Sequence, residues 1–185
     1  MNIAKRFVGW TALCGIILFS PFLSAPVHAA STQPPPPFKK SFPEAQGWAF
    51  ACFCGEVTCP EIDPITDYCV VYNARKLRSG ARAVIFALKN MVTGREPKFV
   101  VGFGLEGSKG ATRGQALTDA GTVDLPACSE PYCYSPATVD QVSALAAGAK
   151  LEGRAFFGGS SFGTAYDPAA ARDLLQKLIT LPQHN

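Results

Sequence analysis

Residues Phe50–Cys59 read FACFCGEVTC, three cysteines within eight residues and an aromatic on either side of the first. Whether these sulfurs hold a metal, run redox chemistry or staple a fold decides how the rest of the chain is read. The surrounding stretch Gly47–Cys54 alternates. Trp48, Phe50, Cys52 and Cys54 fall on one face, with Ala49, Ala51 and Phe53 on the other, the period of a β-strand.

Compartment decides what a cysteine is for. The chain opens MNIAKRFVGWTALCGIILFSPFLSAPVHAA. Lys5 and Arg6 precede an apolar run from Phe7 to about Phe19, Pro21 breaks it, and Val27-His28-Ala29 carries the small residues a signal peptidase needs. A cleaved signal peptide is expected over residues 1–29, and Cys14 belongs to it. No later stretch approaches membrane-spanning length, so the exported chain is expected to be soluble, with no transmembrane segment after cleavage. Losing Lys5 and Arg6 takes the 17 basic residues to 15 against 14 acidic ones, a formal charge of +1. That balance, with the export signal, argues against a nucleic-acid partner. STQPPPPFKK follows. Residues 30–45 read as a proline-rich linker of extended polyproline character, with the folded domain over 46–181.

Beyond Gly47–Cys54, strands are expected at Tyr68–Asn73 (YCVVYN), Arg82–Lys89 (RAVIFALK) and Lys98–Glu106 (KFVVGFGLE). Others are expected at Gln115–Leu117, Thr122–Leu125, Leu151–Phe157 and Phe162–Tyr166. On Arg82–Lys89, Val84, Phe86 and Leu88 face one way and smaller residues the other. Gly102 and Gly104 thin one face of Lys98–Glu106, which suits the close packing of a neighbouring strand or the approach of a flat ligand. A helix is expected over Asp140–Ala147, stopped by Gly148. A second opens at Asp167-Pro168 and runs to about Leu178, with Ala171, Leu174, Leu175 and Leu178 at helical spacing against the sheet. The pattern is all-β: an antiparallel β-sandwich, immunoglobulin-like in its many short strands, with two short helices.

Six cysteines remain after Cys14, an even number in an oxidising compartment, which favours disulfides. Cys128 and Cys133 bracket the turn SEPY, so a local bridge is the natural pairing. Cys52 and Cys69 each sit in an expected strand and could join strands or sheets beside Trp48. Cys54 and Cys59 would then close the small GEVT loop. A soft-metal site on Cys52, Cys54 and Cys59 is the alternative, but the chain has no C-x-x-C pair and one histidine, His184, outside the leader. Redox chemistry would call for C-x-x-C at a helix start.

The same shortage of imidazole argues against histidine-based hydrolysis, because His184 stands in a terminal LPQHN tail expected to fray. Carboxylate chemistry would have to come from Asp63 with Asp67, or Asp119 with Asp124, which sit in turn-building contexts. No phosphate loop or dinucleotide glycine pattern is present. No catalytic residue, metal ligand or cofactor is therefore assigned. Arg75, Lys76, Arg78 and Arg82 in ARKLRSGAR form a basic turn between two strands, the candidate contact for an anionic envelope component.

Several landmarks, taken together, resemble the invasion-associated locus B family. They are G-W-A-F-A-C at Gly47–Cys52, C-V-V at Cys69–Val71, P-K-F at Pro97–Phe99 and LTDAGTVDLPACSEPYCYSP. The similarity continues through a short helix and a strand to the C-terminal Ala/Leu helix. The resemblance implies a β-sandwich exported to the periplasm or outer surface of a Gram-negative bacterium. It also implies pairing of Cys52 with Cys69 and of Cys128 with Cys133. Some family members are linked to host-cell invasion, and no catalytic residues come with the family. Cys54, Cys59 and the proline run depart from its pattern. The expected function is thus non-enzymatic binding of a protein or envelope partner.

Overall fold

Alternating apolar residues pair into two antiparallel sheets in the computed structural model, which describes residues 42, 43, 45, 47–55, 57–59, 62 and 65–185. The expected signal peptide over 1–29 and residues 30–41 of the linker lie outside the described residues. The larger sheet holds β1 (Trp48–Cys54), β2 (Val57–Thr58), β3 (Tyr68–Lys76), β4 (Arg82–Asn90), β5 (Phe99–Glu106), β8 (Ala127–Ser129) and β9 (Tyr132–Ala137). Its spatial order is β2-β1-β3-β4-β5-β9-β8. The smaller sheet runs β11-β10-β6-β7, from β6 (Arg113–Thr118), β7 (Gly121–Leu125), β10 (Leu151–Phe157) and β11 (Ser160–Tyr166). Two short helices, α1 (Val139–Ala144) and α2 (Arg172–Thr180), complete the all-β sandwich.

The core between the layers follows from the period-two pattern. Val71, Ile85, Ala87, Val101 and Phe103 of the larger sheet meet Ala116, Leu125, Leu151 and Ala155 of the smaller one, with Leu145 of the α1 end and Leu175 and Leu178 of α2. Each fully buried branched or aromatic side chain contributes about 1.5–3 kcal/mol relative to exposure. Gly153 is required in this layer, since a Cβ there would lie 2.1 Å from Cδ2 of Phe103.

The larger sheet is apolar on its other face as well. Ala83, Ile85 and Ala87, the smaller set on β4, turn toward the second sheet, while Val84, Phe86 and Leu88 turn outward and are equally buried. The thinned face of β5 belongs to this outer layer. A Cβ on Gly102 would sit 2.1 Å from Cζ of Phe86, and one on Gly104 would sit 2.4 Å from the Pro131 carbonyl oxygen and from Tyr132 Cδ1. The glycines therefore make room for aromatic rings of the flanking strands β4 and β9.

Several local expectations need correction. Packing begins before Gln46, because Phe42, assigned by sequence to the linker, is buried with its ring 4.9 Å from that of Tyr72. The turn bracketed by Cys128 and Cys133 joins a pair of short strands, β8 and β9, that the list of expected strands left out. Helix α1 is shorter than expected. It starts behind a capping box in which Thr138 Oγ1 accepts from Gln141 N and Thr138 N donates to Gln141 Oε1. Gly148 serves a different purpose from a helix cap: a Cβ there would meet Asp119 Oδ2 at 2.1 Å, and that oxygen accepts from the amides of Ala149 and Lys150. Asp167 and Pro168 open a 3-10 turn, Ala169–Ala171, before α2 begins. The tail is docked rather than frayed. His184 forms a parallel bridge with Val92, donating its amide to Met91 O at 2.8 Å while its carbonyl accepts from Thr93 N at 2.7 Å.

One charged side chain is buried between the sheet and α2. Lys89, 2% exposed, donates from Nζ to the carbonyls of Ile179 at 2.7 Å and Leu181 at 2.5 Å, satisfying acceptors that the helix end leaves open. Burial lowers its pKa to about 8, with repulsion from Lys98 adding to the effect.

Candidate functional site

The cysteines that open the problem are consumed in three disulfides: Cys52–Cys69, Cys54–Cys59 and Cys128–Cys133. Cys52 and Cys69 are register partners on β1 and β3, with Cα atoms 4.0 Å apart. The Cys52 carbonyl points away from β3 and accepts from Cys59 N at 2.8 Å, which leaves the pair in the closer, non-hydrogen-bonded kind of site. Cys128 and Cys133 are partners on β8 and β9, again at 4.0 Å. Cys54–Cys59 closes the turn into β2, where Cys54 pairs with Val57 and Phe53 with Thr58. With these sulfurs bonded to one another, the C-x-C set offers no thiolate to a soft metal.

The described carboxylates that sequence proximity singled out hold turns. Asp67 Oδ2 accepts from Gly55 N at 2.6 Å, and its other oxygen pairs with Arg95 at 3.6 Å. Asp119 ties the start of β10 as described above, and Asp124 Oδ1 accepts from Gln115 Nε2 at 2.9 Å. Asp63 lies outside the described residues. His184 Nε2 sits 2.7 Å from Thr66 O, and its buried Nδ1 has no hydrogen-bond partner among the described residues. These contacts place His184 in the docking of the C-terminal tail.

The basic turn is where the fold brings chemistry together. Strand β3 runs three residues beyond its expected end and carries Arg75 and Lys76, still paired with β4, past the end of β1 at Trp48. There they face the end of β11 across an open cleft of about 740 Å³. Arg75, Lys76 and Arg82 line it with Asn73, Tyr166 and Asp167. Arg78 stands exposed at the hairpin tip, outside the lining. The three cations are not equivalent. Arg82 is committed to Glu106, donating from Nε to Oε2 at 2.6 Å, and donates from Nη2 to Phe42 O at 2.7 Å. Their side chains are 16% and 11% exposed, so this charge is compensated within the fold. Arg75 spends one donor on the Ala165 carbonyl at 3.0 Å, which crosses from one sheet to the other. Lys76 is exposed and makes no ion pair among the described residues. With Arg82 compensated by Glu106, Arg75 and Lys76 outnumber the Asp167 carboxylate among the described lining residues, so the cleft keeps a net positive charge.

The cleft wall is held from behind. Trp48 Nε1 donates to Asp167 O at 2.7 Å, and the Trp48 and Tyr166 rings lie 6.2 Å apart. Burial pushes the Tyr166 phenol well above its ordinary pKa, with the Arg75 charge opposing. Its hydroxyl is buried and has no hydrogen-bond partner among the described residues. Sequence reading missed Tyr166 and Asp167 as cleft residues. The signal for Asp167 was absorbed by its role as a helix start, and nothing local marks Tyr166.

No family model matches the chain, no curated protein matches it, and no solved structure matches it.

Proposed function

We propose that this chain is an exported, non-enzymatic binding domain of the invasion-associated locus B type. In this reading it presents its cationic cleft to an anionic protein or envelope partner at the periplasmic or outer-surface side of a Gram-negative cell envelope. The observation that carries the reading is the pairing pattern in the cleft: Arg82 is neutralised by Glu106, while Arg75 and Lys76 are left to face solvent. Three disulfides within the larger sheet and the Arg75 bond across to Ala165 of the smaller one hold those side chains on rigid strands, so little conformational entropy is lost when a partner docks.

Sedimentation with phosphatidylglycerol vesicles tests the electrostatic part. A basic residue near an anionic surface contributes about 1 kcal/mol, so Arg75→Gln with Lys76→Gln is expected to weaken binding about thirtyfold. Arg78→Gln, at the tip, is expected to weaken it less. Binding unchanged in the double variant would overturn the assignment of the cleft.

A further inference from the structure

The outer face of the larger sheet is unlike the solvent face of a sandwich. Antiparallel sheets usually alternate apolar-in with polar-out. Here the register stacks two apolar rows outward: Ala51, Val70, Leu88 and Val100 in one, and Ala49, Tyr72, Phe86 and Tyr134 in the next. Val70, Leu88 and Val100 have no exposed surface, and Tyr134 keeps 8%. Among the described residues, the members of this cluster that come from outside the sheet are Phe42 and Ala45.

Phe42 shows how the chain arrives. Its ring lies 4.9 Å from Tyr72, 5.3 Å from Phe86 and 5.4 Å from Tyr132. Its backbone is clamped at the rim of the face. The amide donates to Glu106 Oε1 at 3.1 Å, the carbonyl accepts from Arg82, and Tyr132 Oη donates to the same Glu106 oxygen. The residue joined to that clamped amide is Ser41, the end of PPPPFKKS at positions 34–41.

We propose that this aromatic outer face is a polyproline-binding surface whose occupant is the chain's own segment 34–41. Three features support it. A polyproline helix has a preformed backbone with no internal hydrogen bonds, and it is recognised by grooves lined with aromatic rings, the residue type concentrated here. At about 3.1 Å per residue, eight residues reach roughly 25 Å, enough for the four strand-to-strand steps of about 4.8 Å from β1 to β9. The clamp at Phe42 delivers the segment to the edge of the face, so its docking is intramolecular and does not depend on protein concentration.

The full chain carrying photo-crosslinking benzoylphenylalanine in place of Pro36 tests this directly. Internal cross-links to β3, β4 or β9 peptides are expected. Links between two copies, or links to another protein, would each overturn it. A second variant, Pro34 to Pro37 all replaced by serine, is expected to raise anilinonaphthalene sulfonate fluorescence severalfold. Added peptide STQPPPPFKKS should bring it back down. Fluorescence unchanged by the substitution, or unaffected by the peptide, would overturn the proposal.

Discussion

Replacing Cys52 and Cys69 together by alanine removes the bridge that closes the longest loop, of sequence separation 17. In the chain-entropy account a cross-link removes about 2.1 + 1.5R ln n cal/mol/K from the unfolded ensemble, which for this loop is about 3.1 kcal/mol at 25 °C. The Cys54–Cys59 bridge lies inside that loop and short-circuits part of it. The effective path falls to roughly thirteen residues and the figure to about 2.9 kcal/mol. The same arithmetic gives about 2 kcal/mol for Cys128–Cys133, of separation 5. The double variants should therefore differ by nearly 1 kcal/mol, with the β1–β3 pair more costly. Urea denaturation at pH 7 without reductant measures both, and the Tm of the Cys52–Cys69 variant should fall by roughly 6–12 °C. Equal losses, or a larger one for Cys128–Cys133, would refute loop closure as the source of the stabilisation.

Gly102→Ala should destabilise by about 1–3 kcal/mol because its methyl enters the Phe86 ring, and combining it with Phe86→Leu should recover part of that loss in the same urea assay. Lys89→Met orphans two helix-end carbonyls and should cost about 2 kcal/mol. Its depressed pKa also sets a sign. Between about pH 8 and the ordinary lysine value the unfolded chain binds the extra proton, so stability should rise with pH there, and this slope should vanish in Lys89→Met. Tyrosines act in the opposite sense. Burial first, then Asp67, raises Tyr68 to about 12, and burial likewise raises Tyr132 and Tyr166. Above pH 10 the unfolded phenols ionise while the folded ones stay protonated, so stability should fall and absorbance at 295 nm should show these phenols titrating only with unfolding.

Strands whose two faces differ were legible from sequence. Leu151–Phe157 begins and ends as the alternation indicates, and α2 buries Leu175 and Leu178, with Ala171 of the preceding 3-10 turn, as the spacing requires. What eluded local reading came from distant contacts. Nothing in YCYSPA marks a strand as strongly as its pairing with β5 does, where Val101 meets Ser135 and Phe103 meets Cys133. The LPQHN tail lacks any periodicity, and only its bridge to Val92 orders it. Phe42 follows a proline run and looks like linker until the aromatic face beneath it is known. The cleft was half legible. The basic residues stand out in ARKLRSGAR, but which of them is neutralised depends on Glu106, twenty-four residues from Arg82.

The two outermost strands of the larger sheet are β2 and β8, only two and three residues long, and each hangs on its neighbour beside a disulfide of separation 5. Short borders of this kind give a foreign strand little to zip onto. Reduction would unhook both borders at once and lay bare the longer β1 and β9. A thiol-rich surrounding is therefore expected to turn a self-contained molecule into one that clumps by strand pairing before it loses its core.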